Sequence, residues 1–364
     1  AADGEGGHAM TSNEQGTRAR IPRDRANDYT DEMAAVRREF AAERTGVDLA
    51  HVGRYTFDPA TLPGNIENFI GAAQVPIGLA GPLLINGEHA QGEFYVPMAT
   101  TEGTLVASYS RGMRLLSESG GVRTTVVDDR MQRSPVFFLE HALAARQFGE
   151  WIEAHTAEIA AAAESTTSVG KLINIGQYTI GPLRYLRFDY STGDAAGQNM
   201  CGKATLAACQ WIRGQHPDHP EFMLSGNIDT DKKHSRINML LTRGKRVVAE
   251  ATIPDRLLRE LMGVDARTIM SSRQASMAGA FLVGSSTNGA HAANGVTAMF
   301  IACGQDVANV SESHAGVSYL QLTDSGDLYW SFTLTSLIVA TYGGGTGPRR
   351  LSRRIHRPAS PHLG

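Results

Sequence analysis

Thirty-nine glycines are scattered through the 364-residue chain without a fixed period, roughly one residue in nine against a usual ~7%. This punctuation restricts the fold more than any other feature. A regular glycine repeat would mean a fibre. An aperiodic excess means tight turns and places where backbone approaches a ligand closely. The apolar segments between the glycines stay short, and none approaches the ~18 residues that a membrane span needs. The opening AADGEGGHAMTSNEQG has no apolar signal core. Hydrophobic residues make up 42% of the chain, enough to bury real cores, and the length suits about two domains of roughly 150 residues each.

Charge and cysteine content remove further classes. Lys and Arg total 34 against 37 Asp and Glu, for a formal net charge of −3. That balance offers no field to attract nucleic acid or anionic lipid. Cys201, Cys209 and Cys303 show no CxxC spacing. Neither a disulfide framework nor a bound metal is expected. The expectation is a cytoplasmic protein with no membrane or nucleic-acid partner.

Along the chain, residues 1–28 are polar and Gly-rich and are expected to be disordered. TDEMAAVRREFAAERTG predicts a helix over about 30–45, acidic in its first turn and closed by Gly46. VPIGLAGPLLINGEHAQG predicts short strands, with Asn86-Gly87 as a hairpin signal. A helix over about 102–118 is expected, capped by Thr100 or Thr101 and closed by Gly120-Gly121. An Ala-rich helix within 136–164, two strands within 172–190 and a helix over 197–213 make a small α+β unit from about 134 to 224. Further on, the pattern predicts a loop over SGNIDTDKKHSRIN and a hairpin over 239–252 turning at Arg243-Gly244. It then predicts a helix over 253–264, a long helix over 286–310 and a hairpin around 324–327.

Five constellations carry chemistry, and each has two readings. Glu102 reads as a capping acid on a helix dipole, or as a carboxylic acid in a Gly-bounded cleft tuned for proton transfer. Lys232-Lys233 reads as solvated surface, or as a charge that stabilises a developing alkoxide. His291 and Asn294 are three apart and share a helical face near its start; His291 reads first as a core histidine. Asp306, after Gly304-Gln305, is a buried carboxylate candidate. DAAGQNMCGKAT and GGGTG bring backbone amides within reach of an anionic cofactor, or are merely tight packing. Neither a strand–GxGxxG–helix fingerprint nor a GxxxxGK[ST] loop is present.

These segments occur together and in order, and with them the chain resembles the 3-hydroxy-3-methylglutaryl-coenzyme A (HMG-CoA) reductase family. ENFIG, VPIGLAGPLLING, VPMATTEGTLVAS, DAAGQNM, SGNIDTDKK, NGAHAAN, GQD and GGGTG carry the resemblance, from about Glu67 to Gly347. It implies NADPH-dependent four-electron reduction of HMG-CoA to mevalonate and coenzyme A, in the mevalonate pathway of isoprenoid biosynthesis. By motif match Glu102 is the proton donor, Lys232 the oxyanion-stabilising lysine, and Asp306 the aspartate that tunes both. Arg133, Ser225, Asn227, Asp231, His291, Asn294 and Gln305 match substrate contacts. Asp194, Gly197, Gln198 and Asn199, with Gly344, Gly345 and Thr346, match nicotinamide cofactor contacts.

The fold implied is α/β (α+β): a large α/β substrate domain over 71–133 and 225–347, with a small ferredoxin-like NADPH domain inserted at 134–224. A helical N-terminal segment over 29–70 precedes it, and a basic tail over 348–364 follows. Homodimers with interface active sites are implied too. Three departures stand beside the resemblance. The tail, with His356 and His362, matches nothing in the family, and relative to the family the chain reads as C-terminally truncated, without its C-terminal catalytic histidine. That leaves as an alternative a catalytically impaired homologue that only binds the thioester or dimerises. Thr167 and Ser168 stand where eukaryotic members carry a Ser-Arg pair toward the cofactor phosphate, so NADH is not excluded. The segment from Ser271 to Asn294 is longer than its usual counterpart.

Overall fold

The computed structural model describes residues 19–342. The expected contacts at Gly344, Gly345 and Thr346, the basic tail and residues 1–18 of the N-terminus expected to be disordered lie outside the described residues. The chain divides into two units at Gln74/Val75.

In the first unit helix α1 (Asp31–Thr45) forms where expected. Thr30 caps it by accepting the Met33 N–H at 3.1 Å, and Gly46 ends it in the left-handed region at φ +70°. Its buried face, with Ala34, packs on Leu62 and Phe69, and Tyr29, Tyr55 and Phe57 complete the cluster. Arg37 is also buried on that helix. Its guanidinium donates to the carbonyls of Pro22 at 3.0 Å, Asp28 at 2.9 Å and Phe69 at 3.3 Å, and it pairs with the Asp28 carboxylate. The stretch 19–28 is thus tied to α1, although its composition offers no core residue.

The second unit opens with the expected hairpin, β1 (Ile77–Asn86) and β2 (Gln91–Ala99), paired antiparallel with Asn86 opposite Gln91. Helix α2 (Leu105–Glu118) starts later than predicted, because Thr104 occupies the cap position at φ +67° and makes no side-chain cap bond. Glu102 therefore sits in the turn ahead of the helix, where Thr100 Oγ1 accepts its N–H at 2.9 Å. Strands β3 (Arg123–Arg133) and β4 (Val136–Phe138) follow, then helices α3 (Ala142–Ala154) and α4 (Thr156–Glu164) in place of one long Ala-rich helix. His155 breaks the two helices apart. Strands β5 (Lys171–Ile180) and β6 (Leu183–Ser191) and helix α5 (Gln198–Gln215) match the predicted pattern.

After β7 (Phe222–Met223) the predicted hairpin over 239–252 is not formed. Ser235 accepts the Asn238 N–H at 3.3 Å and caps a short helix, α6 (Arg236–Leu241). Gly244, at φ +82°, then starts β8 (Gly244–Ile253), whose partners are β3 and β10, not its own preceding residues. A short apolar run such as MLL has no period that separates helix from strand. Helix α7 (Asp255–Leu257) is prolonged by a π turn over Leu258–Met262. Helix α8 (Ala266–Leu282) comes next, and the sequence reading did not anticipate it.

The long helix expected over 286–310 is α9 (Ala292–Ala302) only. Gly304 turns at φ +67°, Asp306 caps a 3₁₀ turn over Val307–Asn309, and α10 (Val310–Ser313) follows. Strands β9 (Gly316–Leu322) and β10 (Leu328–Leu337) form the last hairpin, as predicted.

The strands after the first hairpin make one antiparallel sheet in the order β7-β4-β6-β3-β8-β10-β9, with β5 on β6. The mixed helix-and-sheet class expected from the sequence is therefore the one observed. Helices α3, α4 and α5 cover β4 and β6 through Phe137, Phe148, Ile152, Ile159, Phe188 and Ile212, all at most 1% exposed. Each such side chain contributes roughly 1.5–3 kcal/mol by leaving water. A second cluster joins Leu115 of α2 to Ile253, Leu257, Leu258 and Leu328. A third joins Ala80, Met98, Leu105 and Met113 to Ala298 of α9. These clusters fix the ends of β2, β3 and α9, from which the candidate site is built. Among the described residues no helix is long and apolar enough to cross a membrane.

Candidate active site

The loop between β7 and α6 is the centre of the site. Asn227, Thr230 and Lys232 all take positive φ, at +66°, +51° and +57°. Such backbone costs of order 1–3 kcal/mol per residue and persists only where the surroundings hold it. Several contacts do so. Gly226 N–H donates to the Ser134 carbonyl at 2.6 Å. Asn238 Nδ2 donates to the Asp229 carbonyl at 3.2 Å and to Thr230 Oγ1 at 2.7 Å, and Thr230 Oγ1 meets Ser235 Oγ at 2.8 Å. The Lys232 N–H donates to the Glu312 carboxylate.

Held this way, Lys232 Nζ reaches Asp306 Oδ2 at 2.9 Å. The two side chains are 41% and 31% exposed, and a pair this wet adds only about 0–1 kcal/mol to stability. Its value lies in aiming charge. Asp306, expected to be buried, is half-buried, and its other oxygen accepts the Ala308 N–H at 3.0 Å. Next to it, Gln305 bonds Ala340 in both directions: Nε2 to the carbonyl at 2.8 Å, and Oε1 from the N–H at 2.9 Å.

Glu102 is exposed and meets a different partner. Asn294 Nδ2, in the first turn of α9, donates to Glu102 Oε1 at 2.9 Å. Asp306 lies past the other end of that helix, and the eight steps from Asn294 to Ala302 rise about 12 Å at 1.5 Å each. The expected trio thus occurs as two pairs, Lys232 with Asp306 and Glu102 with Asn294. Tyr109 stands by the second pair; burial raises its pKa, and the Glu102 charge adds to that. Gly295 lets Tyr109 approach α9, because a Cβ there would fall 2.0 Å from the Tyr109 hydroxyl.

The other expected residues divide likewise. Arg133, at the end of β3, lies 3.5 Å from Asp229. Asp229 is fully buried, with neither carboxylate oxygen hydrogen-bonded among the described residues. Burial raises its pKa, against the pull of Arg133 and Arg243. Gln198 Nε2, at the start of α5, reaches Asp231 Oδ1 at 3.2 Å and Asn309 Oδ1 at 3.4 Å. The Asp194 carbonyl accepts the N–H groups of Thr341 at 2.9 Å and Tyr342 at 3.1 Å. His291 caps α9 and is exposed, not a core histidine. Its side chain and those of Ser225, Asn227 and Asn199 make no hydrogen bond among the described residues.

Sequence reading missed the buried charges beneath this loop. Arg243 and Glu312 are each 1% exposed. Arg243 Nη1 donates to Glu312 Oε1 at 2.7 Å, and Nη2 donates to Asp231 Oδ1 at 2.8 Å. Burial pushes the Glu312 carboxyl up to about 7, although Arg243 and the Lys232 N–H pull it down. Sixty-nine residues separate the pair, so no local period marks it. The available signal was a lone Glu inside the small-residue run VSESHAG.

The arrangement sets a lysine ammonium against a carboxylate on a strained loop, and such a pair can oppose negative charge forming on a substrate oxygen. Residues 33–355 match the family model described as hydroxymethylglutaryl-coenzyme A reductase, and the chain belongs to that family. It is 43% identical over 314 residues to the 3-hydroxy-3-methylglutaryl-coenzyme A reductase of Pyrococcus horikoshii, covering 85% of this chain and 76% of that protein. To the enzyme of the same name from Methanocaldococcus jannaschii it is 40% identical over 318 residues, covering 85% and 78%. Its fold is similar to the class II 3-hydroxy-3-methylglutaryl-CoA reductase of Streptococcus pneumoniae solved with NADPH in open conformations. The TM-score is 0.65 at 21% identity, over 81% of each chain.

Proposed function

We propose that the chain reduces HMG-CoA to mevalonate and coenzyme A with NADPH. The observation that carries this reading is the Lys232–Asp306 pair at 2.9 Å, held on a strained loop that stability alone does not justify. Both reductions place negative charge on one substrate oxygen, and the Lys232 ammonium lowers the cost of that charge. Asp306 keeps the ammonium aimed. Glu102, steadied by Asn294, is the proton donor. Arg133, Ser225, Asn227, Asp231, His291, Asn294 and Gln305 bind the acyl group and its carboxylate.

The start of α5 fits a nicotinamide dinucleotide. Its cap residue, Gly197, stands at φ +87° and supplies no side chain to the first-turn N–H groups, which remain available to an anion. Asp194, Gly197, Gln198 and Asn199 would hold the cofactor, with residues 134–224 as its domain and the discontinuous remainder as the substrate domain. When bound, NADPH supplies hydride. Gln198, through Asp231, ties that end of α5 to the Lys232 loop.

The reading includes a homodimer. Phe281, Leu282 and Val283, at the end of α8, are 88%, 85% and 79% exposed, and a contiguous apolar surface of this kind suits a second copy. It also places the protein in the cytoplasm, in keeping with three free thiols.

The test is NADPH oxidation followed by absorbance with HMG-CoA, and separately with mevaldehyde. Parent protein is expected to oxidise NADPH, and Lys232→Ala to lose about 10²–10³-fold in kcat, the scale of a lost oxyanion donor. Near-normal turnover by Lys232→Ala would remove the charge-stabilising role. Thermal stabilisation by both ligands without NADPH oxidation on either substrate would indicate a binding protein instead.

A further inference from the structure

The side chains beneath the Lys232 loop are more committed than a structural role requires. Lys232 adopts φ +57° with no glycine to relieve it. Its own N–H donates to Glu312, which is 1% exposed. The same Glu312 oxygen accepts Arg243 Nη1 at 2.7 Å, and Asn238 Nδ2 stands 3.4 Å from the other oxygen. Arg243 extends its second nitrogen to Asp231, the residue before Lys232, at 2.8 Å. Both peptide neighbours at the turn are therefore fastened to the one buried Arg243–Glu312 pair, one through the backbone and one through a side chain. Removing that fastening frees Lys232 to relax toward ordinary backbone, which re-aims its ammonium.

We propose that Glu312, with Arg243, is a positioning residue that clamps Lys232 in the left-handed conformation from which its ammonium reaches Asp306. It touches no substrate; it acts through Lys232. The proposal deepens the reading of Lys232 as the oxyanion-stabilising group and rests on it.

The test compares the full chain with Glu312→Ala and Glu312→Gln by two readouts. The first is amine labelling located by mass spectrometry, which needs no turnover. Lys232 is expected to label faster in Glu312→Ala than in the parent, while Lys203 and Lys171 label as before. The second is steady-state kinetics with HMG-CoA and NADPH. Glu312→Ala is expected to lose about 10²-fold in kcat, the cost of misplacing a reacting group by about 1 Å, with KM for NADPH unchanged. Glu312→Gln keeps an oxygen for the Lys232 N–H and is expected to recover to within about tenfold of the parent.

Unchanged Lys232 labelling in folded Glu312→Ala would overturn the clamp. So would a loss that appears in KM with kcat intact. If Glu312→Ala does not fold, Glu312→Met, which fills similar volume without an acceptor for the Lys232 N–H, decides: a kcat loss accompanied by faster Lys232 labelling supports the clamp, and parent-like values for both overturn it. An inactive parent would defeat the functional reading, while the labelling comparison would still decide the clamp.

Discussion

The buried Glu312 carboxyl makes a quantitative prediction about stability. Burial raises it from an ordinary 4.5 to about 7. Below about pH 4.5 the folded and unfolded chains both hold the proton, and the contribution to stability is fully present. As pH rises from there, the unfolded chain ionises while native Glu312 stays protonated, so stability falls until the pH passes about 7 and then levels off. The separation is worth about 3 kcal/mol. Glu312→Gln cannot ionise. The parent should therefore lose about 3 kcal/mol more than this variant between about pH 4 and pH 8.

Urea unfolding followed by tryptophan fluorescence measures this, because Trp151, Trp211 and Trp330 all lie in the second unit. The comparison isolates one group. Asp189 and Asp229, raised by burial, and His216, lowered by burial, titrate in both proteins and cancel. The charged and titratable neighbours of Glu312 include Arg243, just ahead of β8, Asp231, Lys232 and Lys233 on the loop, and His234, which lines the same small cavity. Burial holds the His234 pKa down. Parallel pH–stability curves for parent and variant would refute the reasoning.

Two glycine substitutions test the close approaches. Gly295→Ala would set a Cβ 2.0 Å from the Tyr109 hydroxyl, and is expected to destabilise by about 1–3 kcal/mol in urea. Its control, Gly112→Ala in α2, meets nothing within 4 Å and should stabilise by about 0.5–1 kcal/mol. Gly197→Ala combines φ +87° with a Cβ 2.2 Å from Thr192 Cγ2. It should cost at least about 1–2 kcal/mol and weaken NADPH binding measured by fluorescence titration.

Local signals in the chain led to some elements and not others. Asn86-Gly87 and the 324–327 turn each announced a hairpin, because turn chemistry is local and strong. Lys232 and Asp306 were legible as motif members, and they meet. Helix α8 was missed because ARTIMSSRQASMAGAFL scatters its apolar residues around the helix, and only Ala266 is buried. Strand β8 was taken for half of a hairpin because its true partners, β3 and β10, lie far away in sequence. The Arg243–Glu312 pair was invisible for the same reason: tertiary packing, not periodicity, brings the two together.

The chain entering the glycine run is pinned twice. Ala340 is gripped by Gln305, the immediate neighbour of Asp306, and Thr341 and Tyr342 hang from the Asp194 carbonyl ahead of α5. One short stretch thus staples the neighbour of Asp306 to the turn ahead of α5, where the proposed cofactor residues lie. Neither can drift without dragging the other.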